Sequence, residues 1–192
     1  HSCKMRYLIW LIILLDVVSF GCKRRTIKLK DGDIVFQTSR SSQSQAIQLA
    51  TKSKYSHMGV LFLRNEKPFV FEAIASAKHT PFDSWVERGE GGFAVIKRLK
   101  NSETILTKKN LEKMRELTAG FEGKPYDIYF GWDDEKVYCS ELVWKLYYQA
   151  GGVEVGKLQR LRDFDLSSPV VQSKLKERYG QIVALNEMVI SP

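Results

Sequence analysis

Short apolar runs bounded by turn residues alternate along this chain with longer stretches whose apolar positions repeat at helical spacing. Lys28 to Asp33 form a turn that delivers the β-type run Ile34-Val35-Phe36. Thr38 to Gln45 is polar and serine-rich, a loop running into a helix near Gln43–Thr51 with Ala46, Ile47 and Ala50 on one face and Ser41 or Ser42 as N-cap. Tyr55 to Leu63 predicts a strand, Arg64 to Pro68 a turn, and Phe69 to Ile74 a second strand, together an antiparallel hairpin. Lys78 to Pro81 reads as loop, Phe82 to Glu90 as a short helix or turn capped by Asp83 or Ser84, and Phe93 to Ile96 as strand. Thr107 caps a helix over Lys108–Ala119 with Leu111, Met114 and Leu117 inward and Gly120 as its end. From Val137 the positions Leu142, Val143, Leu146, Tyr147 and Ala150 define a buried helix that stops at Gly151-Gly152. Ser168-Pro169 open a last helix to Tyr179, stopped by Gly180, and Gln181–Ile190 closes the chain as a strand. Antiparallel strands mixed with helices make this an α+β domain from Lys28 to Pro192, without repeats or an internal boundary.

The start of the chain has a different pattern. His1 to Lys4 precede Met5-Arg6 and the apolar run YLIWLIILLDVVSF, too short and too interrupted by Asp16 to cross a bilayer easily. With Gly21-Cys22 and then Lys23-Arg24-Arg25 it reads as a signal peptide, so that residues 1–21 are upstream residues (His1 to Lys4) and signal peptide. The Gly-Cys ending resembles a lipoprotein signal, which makes Cys22 the lipidated first residue and 22–27 a linker, although Ser19 stands where leucine is usual. The expectation is an exported lipoprotein of the bacterial cell envelope, held to the membrane by its N-terminal lipid.

Composition narrows the function classes. At 192 residues with 44% hydrophobic and 27% charged content the chain can bury a core. The net charge of +8 is scattered rather than gathered in a basic run interleaved with aromatics, so no nucleic-acid partner is expected. With Cys3 and Cys22 outside the domain, Cys139 is its single thiol, which excludes an internal disulfide and a CxxC zinc pair.

Cys139 falls in the first turn of the Val137 helix, where unpaired N–H groups and the dipole favour a thiolate and could hold an oxyanion. Taken alone it reads more readily as an inert core cysteine, and what lies upstream must raise the functional reading. His57 lies near the start of one hairpin strand and Glu72 near the end of its neighbour, close to cross-strand partners and so within about 5 Å between Cβ atoms. A carboxylate-oriented imidazole is what a general base needs. His79 is the rival base, in a segment read as loop. No HExxH-type spacing appears and no cofactor is expected.

Four segments in order, Gly32-Asp33-Ile34-Val35-Phe36, Tyr55-Ser56-His57-Met58-Gly59-Val60, Phe71-Glu72-Ala73 and Tyr138-Cys139-Ser140-Glu141-Leu142-Val143-Trp144, resemble the YiiX/YebB-like, circularly permuted branch of the NlpC/P60 cysteine hydrolases. The resemblance implies a permuted papain-like fold, an antiparallel sheet packed against helices including the one that carries the nucleophile. It implies Cys139 as nucleophile, His57 as base and Glu72 as the residue that orients it. The implied substrates are amide-type: cell-wall peptide or a related N-acyl or isopeptide bond. An acyltransferase or lipid acyl hydrolase using the same trio, and a non-catalytic peptide-binding lipoprotein, are the alternatives. Gln37, Ser39 and the aromatics of Tyr126–Trp132 are the expected specificity positions.

Overall fold

A computed structural model describes residues 28–192; the signal peptide, Cys22 and the linker expected from the sequence lie outside them. Five antiparallel strands form the main sheet: β1 (Ile34–Gln37), β2 (His57–Arg64), β3 (Lys67–Ala73), β4 (Ala77–Pro81) and β5 (Val95–Lys97), in the order β4-β3-β2-β1-β5. The expected hairpin is β2–β3. It turns through Asn65 and Glu66, both at positive φ (48° and 63°), a two-residue turn whose twist matches that of the strands. Lys78 to Pro81, expected as loop, is strand instead. Its residues pair with β3, Phe71 opposite His79 and Glu72 opposite Lys78. The alternation there is broken by Lys78 and Pro81, which an edge strand tolerates because one side of its backbone faces solvent.

Both faces of the sheet are covered. On one, Met58, Val60, Phe62 and Phe71 pack against the helices α4 (Lys108–Phe121) and α5 (Cys139–Gly151) through Met114, Phe121, Leu142, Val143 and Leu146. On the other, Val35, Leu61 and Val70 pack around Trp85 of the short helix α2 (Phe82–Arg88). Thr107 caps α4 by accepting from the Asn110 N–H, but the helix runs through Gly120 to Phe121, because Phe121 is anchored in the core. Neither Asp83 nor Ser84 caps α2, and the N-cap of α1 (Ser44–Thr51) is Gln43, whose side chain is used elsewhere. A single turn, α3 (Ser102–Ile105), precedes α4.

The helix α5 ends as its sequence predicts, with Gly152 at φ 67° receiving the chain in a left-handed turn. Beyond it, β6 (Gln159–Arg160) pairs with β7 (Met188–Val189), and α6 (Pro169–Tyr179) starts at Ser168, whose hydroxyl accepts from the Val170 N–H. The closing strand is only two residues long. What fixes the C-terminal segment is α5 itself: the Ser140 hydroxyl donates to the Ile190 carbonyl at 2.7 Å, and the Ile190 N–H donates to the Tyr138 hydroxyl at 3.1 Å. Among the described residues no helix is long and apolar enough to cross a membrane.

Candidate active site

Strand alternation decides where the hairpin's polar groups go. Val60 pairs with Phe71, so the next position outward sets Gly59, not His57, across from Glu72. His57 and Glu72 are therefore diagonal neighbours rather than the direct partners expected. Their even offset still leaves them on one face, within reach of long side chains. The residue between them on that face is Gly59. A Cβ there would come within 2.5 Å of Val70 Cγ1 and 2.7 Å of the Phe71 carbonyl, so the close approach of β3 needs the glycine. His57 Nε2 donates to Glu72 Oε2 at 2.6 Å, with both residues buried.

Glu72 is a hub. Besides His57 it accepts from the Thr80 hydroxyl (2.6 Å), the Trp85 indole N–H (2.9 Å) and the Arg88 guanidinium, which reaches both oxygens at 2.6 Å. Burial opposes its charge, but His57 and then Arg88 outweigh that and bring its pKa down to about 2. The Trp85 ring also lies nearly parallel to the imidazole, centroids 6.0 Å apart, which limits rotation of His57. Thr80, Trp85 and Arg88 were not among the expected site residues. Their one sequence signal is a Trp and an Arg three apart on a short helix, adjacent on one face.

With Nε2 committed to Glu72, the other ring nitrogen of His57 is left for Cys139, whose side chain is near enough to raise the basicity of the imidazole. Burial lowers the basicity of His57, yet Cys139 and Glu72 together raise its pKa to about 9. Burial likewise favours a neutral thiol at Cys139, and the His57 hydrogen bond and charge, with the Met58 N–H and Ser140, shift it toward thiolate. The start of α5 is held by Glu141, which accepts from the Tyr138 N–H at 3.2 Å and pairs with Lys145 at 2.8 Å. The structure thus brings Cys139, His57 and Glu72 into one chain of contacts.

His79 is elsewhere. Paired with Phe71, it lies on the opposite face of the sheet from Glu72 and packs against Phe71 and Phe62, centroids 4.6 and 6.2 Å away. Burial first, then Arg64 and Arg115, lower its pKa to about 4, and neither ring nitrogen has a partner.

Two cavities meet at this junction. One, narrow at about 90 Å³, runs from Cys139 between α1, α6 and the C-terminal segment, past Ala46, Ile47, Leu161, Phe164, Val171 and Leu175. The other, about 410 Å³, opens on the His57 side among Ser39, Arg40, Ser41 and Arg88. Of the expected specificity positions, Gln37, Ser39 and Tyr126 line the polar cavity, and Tyr126 and Phe130 the apolar one. Trp132 instead packs edge-on against Trp144, and Tyr129 against Tyr179. Gln37 pairs with His57 across β1–β2 and has its Oε1 buried without a partner. Gln43, unremarked in the sequence, touches both cavities.

Comparison with known proteins identifies the family and the fold. Residues 28–192 match the model of a family described as permuted papain-like amidase enzymes, YaeF/YiiX, C92 family. The uncharacterized protein YiiX of Escherichia coli strain K12 is 49% identical over 189 residues, 98% of this chain and 89% of that protein. A crystal structure of YiiX from Escherichia coli O157:H7, titled a metalloprotein, superposes with a TM-score of 0.82 at 51% identity, covering 86% of this chain and 91% of that one. Among the described residues here, no three His, Cys, Asp or Glu side chains gather as a cation site. Glu72 and one nitrogen of His57 are engaged with each other, and the remaining Glu72 contacts are donors, which compete with a cation for its oxygens.

Proposed function

The chain belongs to the permuted papain-like amidase family and is a cysteine hydrolase of the papain-like type, and from that premise we propose that it cleaves an amide bond through a thioester on Cys139. The observation that carries the proposal is a buried imidazole shared between the Cys139 thiol and a fully hydrogen-bonded carboxylate. In this reading His57 holds the proton of Cys139, the thiolate adds to the carbonyl carbon, and the collapsing intermediate expels an amine that takes that proton. Water, deprotonated by His57, then releases the acid and restores the thiol. Glu72 keeps the imidazole in one orientation and supports its charge.

The cavities sort the two halves of the substrate. The acyl half stays bonded to sulfur, and Cys139 lines the apolar cavity; the amine departs toward His57, which lines the polar one. An aliphatic N-acyl group therefore suits the site better than a cell-wall peptide, whose polar groups would be desolvated among Ile47, Phe164, Val171 and Leu175. A panel of fatty-acyl amides and muropeptides, with Cys139→Ala as blank, tests this. Preference for muropeptides would sink the acyl assignment, and turnover by Cys139→Ala the thioester. The transferase reading keeps the same thioester, and a labelled acyl group found on an added alcohol or amine instead of in free acid would favour it.

The address is proposed on the N-terminal sequence alone: an exported lipoprotein anchored through Cys22. Labelled palmitate should enter the wild type and not Cys22→Ala.

A further inference from the structure

Both neighbours of Cys139 are bonded to the same residue of the C-terminal segment. The Tyr138 hydroxyl accepts from the Ile190 N–H at 3.1 Å, and the Ser140 hydroxyl donates to the Ile190 carbonyl at 2.7 Å. Tyr138, Ser140 and Ile190 are all buried, so water does not compete for either bond. Cys139 is thus the middle residue of a stretch whose two ends are tied to one point of the chain.

The side chain of Ile190 has a different role from its backbone. It lines the apolar cavity together with Cys139, Leu161 and Val171. Behind it lies the turn at Gly156: a Cβ on that glycine would stand 3.1 Å from Ile190 Cδ1, so the side chain has little room to give way. Along the chain, the segment is held by the two-residue pairing of β7 with β6, an anchor too short to fix Ile190 by itself. We propose that Ile190 is a positioning residue that couples the apolar cavity to the nucleophile. An acyl chain seated against its side chain steadies the segment, and the segment steadies Tyr138 and Ser140 on either side of the thiol.

This rests on the thioester reading and on the acyl half occupying that cavity. A methylene in the cavity then acts in two ways. Contacts with Ile47, Val171 and Leu175 hold substrate and transition state alike and lower KM. The contact with Ile190 narrows the position of the sulfur against the carbonyl carbon, an orientation effect that appears in kcat. The acyl group stays on the same sulfur, so its formation and its hydrolysis both gain. Short acyl groups forfeit this second contribution, and long chains are selected by rate as well as by affinity.

The test is turnover of p-nitrophenyl acetate, butanoate and octanoate. In the wild type kcat should rise about 10-fold from acetate to octanoate while KM falls. Ile190→Ala keeps both backbone bonds but withdraws the side chain from the cavity. Its kcat should be level across the series with KM still falling, and Ile190→Val should restore most of the rise. Tyr138→Phe leaves the cavity wall in place and removes the acceptor of the Ile190 N–H, so it should flatten the same rise from the other end of the link. If Ile190→Ala does not fold, as read by circular dichroism, Tyr138→Phe carries the test alone. A wild-type kcat independent of chain length, an Ile190→Ala variant whose loss falls on KM alone, or a Tyr138→Phe variant with the wild-type dependence would each overturn the proposal. With Cys139→Ala inactive toward the same esters, such a result counts against Ile190 only. If Cys139→Ala turns the esters over like wild type, the thioester reading itself fails.

Discussion

The two sides of the His57 imidazole are built on opposite principles. On the Glu72 side every acceptor is used: His57, Thr80, Trp85 and Arg88 converge on one buried carboxylate at 2.6 to 2.9 Å. On the Cys139 side the groups face two cavities. In the proposed mechanism the closed side fixes geometry and charge before substrate arrives, and the open side changes partners during the reaction. Preorganisation is concentrated where nothing has to move.

That contrast can be broken from either side. The largest effect is expected from Cys139→Ala, which should reduce amide and ester turnover to the buffer background while leaving the unfolding temperature near wild type, measured by initial rates and calorimetry. Glu72→Gln comes next. It keeps acceptors for Thr80 and Arg88 but weakens support for the imidazolium, so kcat should fall on the order of 10³- to 10⁴-fold with the circular dichroism spectrum unchanged. A preserved rate would show that the closed side is scaffolding only.

A change in the core should do the reverse. Met114 on α4 is buried among the residues between sheet and helices. Met114→Ala should cost about 2–5 kcal/mol in denaturant unfolding with kcat maintained at temperatures where the protein is folded.

Acidity sharpens the comparison further. His57 has its folded pKa raised to about 9, so the stability it contributes is complete below its ordinary 6.5 and is lost as pH rises through 9. Glu72, depressed to about 2, contributes fully above its ordinary 4.5 and loses that contribution as pH falls through 2. Stability owed to the pair should be flat between about 4.5 and 6.5, and turnover should fall as pH rises through about 9, when the proton for the leaving group is lost. A descending limb near pH 7 would contradict the paired imidazolium. The smallest effect is expected from Trp85→Phe, which keeps the ring but removes one of several donors to Glu72. It should cost about 1–3 kcal/mol of stability and only a modest part of kcat.

Some of this was legible in the residues alone. The apolar spacing of Leu142, Val143 and Leu146 with the Gly151-Gly152 stop located α5 and set Cys139 at its start. The hairpin and the shared face of His57 and Glu72 followed from period-two alternation. The status of Lys78 to Pro81 did not follow, since an edge strand with one solvated side carries a weak pattern. The hairpin register was missed by two residues, because it is set by the positive-φ pair Asn65-Glu66 rather than by the apolar pattern.

The sequence by itself determined the elements whose reasons are local: the helix that carries Cys139, the strands that carry His57 and Glu72, and the glycine that ends α5. Tertiary structure alone decided which further groups meet them. Thr80, Trp85 and Arg88 reach Glu72 only after β4 and α2 fold beside β3, and Ile190 reaches Tyr138 and Ser140 from far along the chain. The physical reason is that spacing along one element fixes which side chains share its face, whereas contacts between elements depend on packing that no single stretch of residues specifies.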